Sequence, residues 1–304
     1  MIKNRLKKDR FVFFLSLGLC FNSSVSAKIT HLEHEHPTAT LLIGINYENS
    51  SSELSNCIND IDHVWEKLLA PQMKASEEFK ILMSDKNLGT PFYPTKHNIL
   101  NQLSLFAELV NQTKKGYFHY SGHGTRMKDL SGDEKDGYDE ALVPLDYEKS
   151  GFLLDDDLYE GFIKKLDRDT EVFITSDCCH SGTIMDLPFK WDELGIKTTE
   201  SLSHAKASKN LSKVVMLSGC KDTQTSADGG EITVDEEGSG ALTGAFLAVL
   251  AKHHYVITYR ELLIEINHML KHYGFSQRPQ LSSTKNLNLD DLCYFNANQL
   301  VLTH

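Results

Sequence analysis

Residues 175–182 are Thr175-Ser176-Asp177-Cys178-Cys179-His180-Ser181-Gly182, preceded by Glu171-Val172-Phe173-Ile174. The β-branched and aromatic run predicts a buried strand, and Ser-Gly predicts a turn. A thiol therefore stands where a strand gives way to a loop. In open α/β sheets, ligand sites lie at the carboxyl ends of strands. A second junction of this kind lies upstream, where Gly116-Tyr117-Phe118-His119-Tyr120-Ser121 runs into Gly122-His123-Gly124. A thiol and an imidazole at two strand ends are the parts of a cysteine nucleophile and its acid/base partner.

Outward from these junctions, strands and helices alternate. Thr40 to Ile45 predicts a buried strand. Cys57 to Leu69 predicts a helix with Ile58, Ile61, Trp65 and Leu68 on one face, ended by Pro71. Phe79 to Met83 predicts a second strand. Thr95 caps a helix whose apolar face is Ile99, Leu103, Phe106 and Val110. Asp157 to Leu166 predicts a helix, Val214 to Leu217 a strand, and Gly238-Ser239-Gly240 opens a helix through Ala251. Thr258 and Glu261 form a capping box for a last helix with Leu262, Ile266, Met269 and Tyr273 on its apolar face. The alternation predicts an α/β fold with a mostly parallel central sheet and helices on both faces.

Along an extended strand, side chains alternate between faces. Asp177 then shares a face with Cys179, and Ser121 with His123, whereas Cys178 and His180 point away from Cys179. Only one of the paired thiols can face a cleft.

The chain has 304 residues and a formal net charge of −11. Its first 27 residues carry five bases (Lys3, Arg5, Lys7, Lys8, Arg10) and one acid (Asp9), leaving −15 on the remainder. With no long basic run there, neither nucleic acid nor an anionic membrane is expected as a partner. The basic start, the apolar run Phe11 to Leu19 and the small residues Val25-Ser26-Ala27 predict a signal peptide over 1–27 and an exported, periplasmic or secreted product. No stable membrane insertion is expected once it is removed. Residues 28–39 predict a flexible lead-in in which His31, His34 and His36 are solvated. The polar, lysine-rich stretch 190–212 predicts a linker between a region 40–189, which holds both junctions, and a region 213–304. Beyond the signal lie Cys57, Cys178, Cys179, Cys220 and Cys293, an odd number, so at least one thiol stays outside intrachain disulfides.

Between the imidazole and the thiol, Asp129 to Asp157 contains eleven acids opposed only by Lys135 and Lys149. Such a run is either a solvated loop or a site for a hard cation. An EF-hand is excluded, because Gly132 would occupy the first ligand position.

Taken together, Tyr120-Ser121-Gly122-His123-Gly124, Gly132-Asp133-Glu134-Lys135-Asp136-Gly137-Tyr138-Asp139-Glu140 and Asp177-Cys178-Cys179-His180-Ser181-Gly182 resemble the metacaspases, caspase-like cysteine peptidases of clan CD, family C14. Asn56-Cys57-Ile58-Asn59-Asp60 upstream continues the resemblance. So do Ser218-Gly219-Cys220-Lys221-Asp222 and Gly240-Ala241-Leu242-Thr243-Gly244-Ala245-Phe246 downstream. The short linker resembles type I members. The resemblance implies a caspase-like sandwich with a large-subunit-like region over 40–189 and a small-subunit-like region over 213–304. It implies Cys179 as nucleophile, His123 as its dyad partner, and the amides of Gly124 and Cys179 as an oxyanion hole. It further implies that Asp60, Ser121 and Asp177 line a pocket for Arg or Lys at P1, and that Asp139, Asp155, Asp156 and Asp186 bind an activating calcium. The implied partners are protein or peptide substrates, and the implied state is a monomer. A self-processing endopeptidase is the reading that follows. A non-catalytic caspase-like interaction module and a calcium-binding module are its alternatives.

Overall fold

The structure is a computed structural model and describes residues 37–128, 138–178, 184–185, 187–200, 212–219, 232–234, 237–293 and 295. Its centre is an eight-stranded sheet in the order β2-β1-β3-β7-β10-β13-β8-β9. Five strands run parallel: β1 (Ala39–Gly44), β2 (Lys80–Ser84), β3 (Lys115–Ser121), β7 (Glu171–Asp177) and β10 (Lys213–Ser218). β13 (Gln280–Ser283), β8 (Phe189–Trp191) and β9 (Lys197–Glu200) close one side antiparallel.

The parallel strands are apolar on both faces, and alternate residues feed two cores. Leu41, Ile43, Phe118, Val172, Ile174 and Met216 pack under α3 (Lys96–Thr113) and α5 (Asp155–Gly161). Leu42, Tyr117, Phe173, Val215 and Leu217 pack under α1 (Cys57–His63), α6 (Ala241–Lys252) and α7 (Tyr259–His272). The expected sheet, largely parallel and covered by helices on both faces, is the sheet observed. Since β10 pairs directly with β7, the regions before and after 190–212 share it.

Several local features depart from the sequence reading. The helix from Cys57 does not stop at Pro71. It widens into π-helical turns over Val64–Leu69 and closes with a short turn, Ala70–Gln72, that contains the proline. Pro71 lies near the start of that turn, where a missing N–H costs no bond. On α7, Tyr273 is the C-cap and 57% exposed, so the buried face is Tyr259, Leu262, Leu263, Ile266 and Leu270. The first part of the expected linker is a hairpin, β8–β9, on the sheet edge, turned by Asp192 and Gly195 (φ 72°). Lys197 lies on β9, the edge strand, where a charge discourages further pairing. The expected loop after His123 contains a three-stranded sheet of β4 (Gly124–Lys128), β5 (Tyr138–Leu142) and β6 (Leu153–Leu154). β11 (Ile232–Val234) and β12 (Glu237–Ser239) form a small hairpin leading into α6.

Among the described residues no helix is long and apolar enough to cross a membrane. Residues 1–36, with the expected signal and the histidine tract, lie outside them, as does 201–211.

Candidate active site

The carboxyl ends of β1, β3 and β7 are in register, with Gly44 beside Ser121 and Ser121 beside Asp177. β2 lies on one side of β1 and β3 on the other, so the chain reverses direction across the sheet there, the position at which open α/β sheets form a ligand crevice. Ser52 and Asp60 enter this crevice after β1, His123 after β3, and Asp177 at the end of β7.

Two buried carboxylates form its floor. Asp60, fully enclosed on α1, accepts the Ser121 hydroxyl at 2.6 Å and the Gly240 amide at 2.8 Å. Asp177 Oδ2 accepts the Thr243 amide at 2.9 Å and its hydroxyl at 2.8 Å. Both acceptors thus use the first turn of α6, whose N-terminal amides and dipole favour negative charge. Gly240 caps that helix, and a Cβ there would come within 2.5 Å of Asp177 Oδ2 and 2.8 Å of Asp60 Oδ2. Only glycine lets the two carboxylates converge on this backbone.

Burial first, and then the neighbouring Asp177 charge, push the Asp60 carboxyl up to about 8. Burial likewise raises Asp177, opposed by its bonds to Thr243 and Leu242. A carboxyl this enclosed beside a second one favours its protonated form unless a cation takes the proton's place. Among the described residues, every hydrogen bond they accept comes from an amide or a hydroxyl.

His123 is held by its backbone and by its ring. The Tyr47 hydroxyl accepts the His123 amide at 3.0 Å and donates to Val143 O at 2.6 Å, while the Tyr120 hydroxyl donates to His123 O at 2.8 Å. The Tyr47 and His123 rings lie 4.8 Å apart at 43°. A Cβ at Gly122 would approach the Tyr120 hydroxyl to 2.8 Å, so the residue before His123 must be small for this clamp to close. His123 Nε2 lies 2.8 Å from Ser52 O. A carbonyl only accepts, so Nε2 carries the hydrogen and Nδ1 is the nitrogen left to exchange a proton. Gly124, expected in the oxyanion hole, begins β4 directly after His123 and lines a cavity beside it.

The alternation that grouped Ser121 with Asp177 holds in the structure, since Asp60 bonds the first and shares Gly240 with the second. It ends at Ser121, where β3 stops. His123 instead rests on Tyr47, which belongs to the core on the opposite face. Cys178 lies in that same core, 1% exposed, with Sγ 3.3 Å from Ser176 Oγ. Cys57 is also buried, and burial followed by the Asp60 charge holds its thiol well above the ordinary range. Cys179 and Asp186 lie outside the described residues.

Of the expected cation ligands, Asp139 lies on β5 two residues before Ala141, whose partner Leu154 directly precedes Asp155 and Asp156. Asp155 is 4% exposed, and its Oδ1 accepts the Asp156 amide at 2.8 Å. Among the described residues, no three His, Cys, Asp or Glu groups gather round one point.

Tyr47, Ser52, Gly240 and Thr243 carry no role in the site in the sequence reading. Gly240 and Thr243 stand in a segment that resembles the family, but their approach to Asp60 and Asp177 is a tertiary contact. Tyr47 and Ser52 stand in a stretch without a motif.

Residues 39–188 match the family described as "Metacaspase, peptidase C14 domain". The chain is 37% identical over 260 residues to metacaspase-2 of Trypanosoma brucei brucei, covering 82% of this chain and 74% of that one. It is 33% identical over 294 residues to metacaspase-1 of Schizosaccharomyces pombe, covering 82% and 68%. A crystal structure of a Geobacter sulfurreducens protein shares the fold, with a TM-score of 0.55 at 20% identity over 84% of this chain and 97% of that one. With its mostly parallel sheet, its glycine-flanked histidine at a strand end and this breadth of similarity, the chain belongs to the metacaspases and is a cysteine-type peptidase.

Proposed function

We propose that the protein is an endopeptidase that cleaves after Arg or Lys through Cys179 and His123. The observation that carries the P1 assignment is the enclosed pair Asp60 and Asp177, which converges on Gly240 and, among the described residues, is bonded only by neutral donors. A guanidinium or ammonium entering there takes the place of the proton on the pair and sets one positive charge against the two carboxylates. An acidic P1 side chain is repelled.

In this reading the Cys179 thiolate attacks the carbonyl carbon of the scissile bond. The amides of Gly124 and Cys179 hold the oxyanion. His123, oriented by Ser52 and clamped by Tyr47 and Tyr120, gives its proton to the departing amine. Water then hydrolyses the thioester, with His123 taking the proton back. The burial of Cys178 in the opposite core supports Cys179 as the nucleophile. The test is labelling by a thiol-directed peptidyl inhibitor with P1 Arg. Cys179→Ala abolishes labelling and turnover, and Cys178→Ala keeps most of both. The reverse result refutes the assignment.

Calcium is part of the proposal. Asp139 stands near the start of β5 and Asp155 and Asp156 directly follow β6, its neighbour, and Asp155 is a buried carboxylate, so the donors are hard oxygens, as calcium prefers. Asp186 is assigned as the fourth ligand. Calcium bound there would supply positive charge to these acids and would tie Asp186, seven residues after Cys179, to the β5–β6 region. The expected result is a calcium-dependent rate, with magnesium a poor substitute, and a binding isotherm that Asp139→Ala abolishes. A rate unaffected by chelator refutes the switch and leaves the peptidase reading intact. Export with removal of residues 1–27 is proposed as well, and N-terminal sequencing of exported material beginning near Lys28 tests it.

A further inference from the structure

On the side of His123 away from the carboxylate pair lies a cavity of about 210 Å³. Its walls are Val143, Tyr147 and Phe152, the two rings stacked at 5.8 Å and 12°. Ser52, His123, Gly124 and Thr125 also line it. Among the described residues His123 is its one titratable group other than the Tyr147 phenol, and none that lines it is a carboxylate, lysine or arginine.

The two sites belong to opposite faces of the sheet. Asp60, on α1, and Asp177 bond the start of α6, whereas Val143, Tyr147 and Phe152 pack with the core under α3 and α5. His123 stands at the sheet end between them. A peptide whose P1 side chain enters the carboxylate pair must carry its scissile nitrogen within hydrogen-bond reach of His123, because that nitrogen receives the proton. The same nitrogen belongs to the P1′ residue. Its side chain therefore leaves the backbone beside the imidazole, where the only lining offered by this cavity is uncharged and largely apolar.

We infer that this cavity is the S1′ subsite and that it takes an apolar or aromatic P1′ side chain of the scissile peptide. The inference rests on His123 as the proton donor of the proposed reaction. Its volume accommodates a leucine- or phenylalanine-sized group. A charged P1′ side chain is disfavoured, since it would lose its water against Val143, Tyr147 and Phe152 with no partner in return.

The test uses the full chain with calcium and internally quenched peptides that share Arg at P1 and differ only at P1′: Gly, Leu, Phe, Asp or Lys. The expected kcat/KM for Leu and Phe is about tenfold or more above Gly, with Asp and Lys below Gly, in the range that apolar pockets provide. Phe152→Ala is expected to collapse the Leu-to-Gly ratio towards one, and Phe152→Tyr, which keeps a ring in the wall, to restore it. The wild-type series decides the question even if Phe152→Ala does not fold. Cleavage after Arg with equal rates across Gly, Leu and Phe, or with Asp or Lys preferred, overturns the subsite while the peptidase reading stands. Failure to cleave any of these peptides overturns both.

Discussion

Asp60 and Asp177 are carboxyl groups in a site that offers them amides and hydroxyls and no counter-charge among the described residues. An unfolded Asp60 ionises near pH 4, whereas the folded one keeps its proton up to about 8. The folded state then binds more protons over that window, so the raised carboxyl makes stability fall as pH rises from about 4 through about 8. Asp60→Asn removes this dependence. Tm measured between pH 5 and 9 should fall more steeply for the wild type than for the variant, and parallel curves would contradict the shift. A bound P1 arginine reverses the sign, because it favours the ionised pair and releases a proton on binding. Tyr47 acts on the other half of the site. It holds a left-handed backbone (φ 53°), rare for a bulky residue, while its hydroxyl serves both the His123 amide and Val143 O. Tyr47→Phe leaves both groups short of a bond, at about 1–3 kcal/mol. The expected outcome is a lower urea midpoint and a kcat loss larger than any rise in KM, since the imidazole and not the P1 pocket is displaced. An unchanged kcat would remove Tyr47 from the positioning of His123.

At the scale of elements, the first turn of α6 builds the P1 pocket as much as β7 does. Gly240→Ala places a methyl group against both carboxylates, an overpacking that costs about 1–3 kcal/mol. KM for a P1 Arg peptide should rise, and an unchanged KM would show that the P1 side chain binds elsewhere. The start of this helix was legible because Ser-Gly before an apolar run is a local signal. So were the caps of α3 and α7, where Thr95 and Thr258 accept the amides of Asn98 and Glu261 as their spacing predicts. Less legible was what depends on neighbours. The π-turns after α1 leave no mark on the helical period, and Tyr273 fits the apolar spacing of α7 although that helix has already ended. The β8–β9 hairpin escaped because its strands are short and lysine-bearing, with Lys197 on the edge strand β9, where charge is tolerated.

At the scale of the molecule, the parallel sheet was legible because both of its faces are buried and its strands are short continuous apolar runs. The β4–β6 sheet was not, since its strands are brief and lie within an acidic stretch. Of the site, the two strand-end motifs placed His123 and Asp177, but the contact of Gly240 with Asp60 joins residues 180 positions apart and no local pattern encodes it. If the protein cuts itself in the stretch 190–212, beside Lys190, Lys197, Lys206 or Lys209, the same long-range pairing governs the products. β7 and β10 are hydrogen-bonded neighbours from Glu171–Lys213 to Ser176–Ser218, so the two fragments should co-elute as one species and separate only in denaturant. Fragments that part in native buffer would contradict the shared sheet. The most direct test of the account is kcat/KM on two peptides that differ only in arginine or its uncharged isostere citrulline at P1, with Cys179→Ala as the blank. The account predicts strong cleavage after arginine, little after citrulline and none by the blank. Equal cleavage of the two peptides, or turnover by Cys179→Ala, would contradict it.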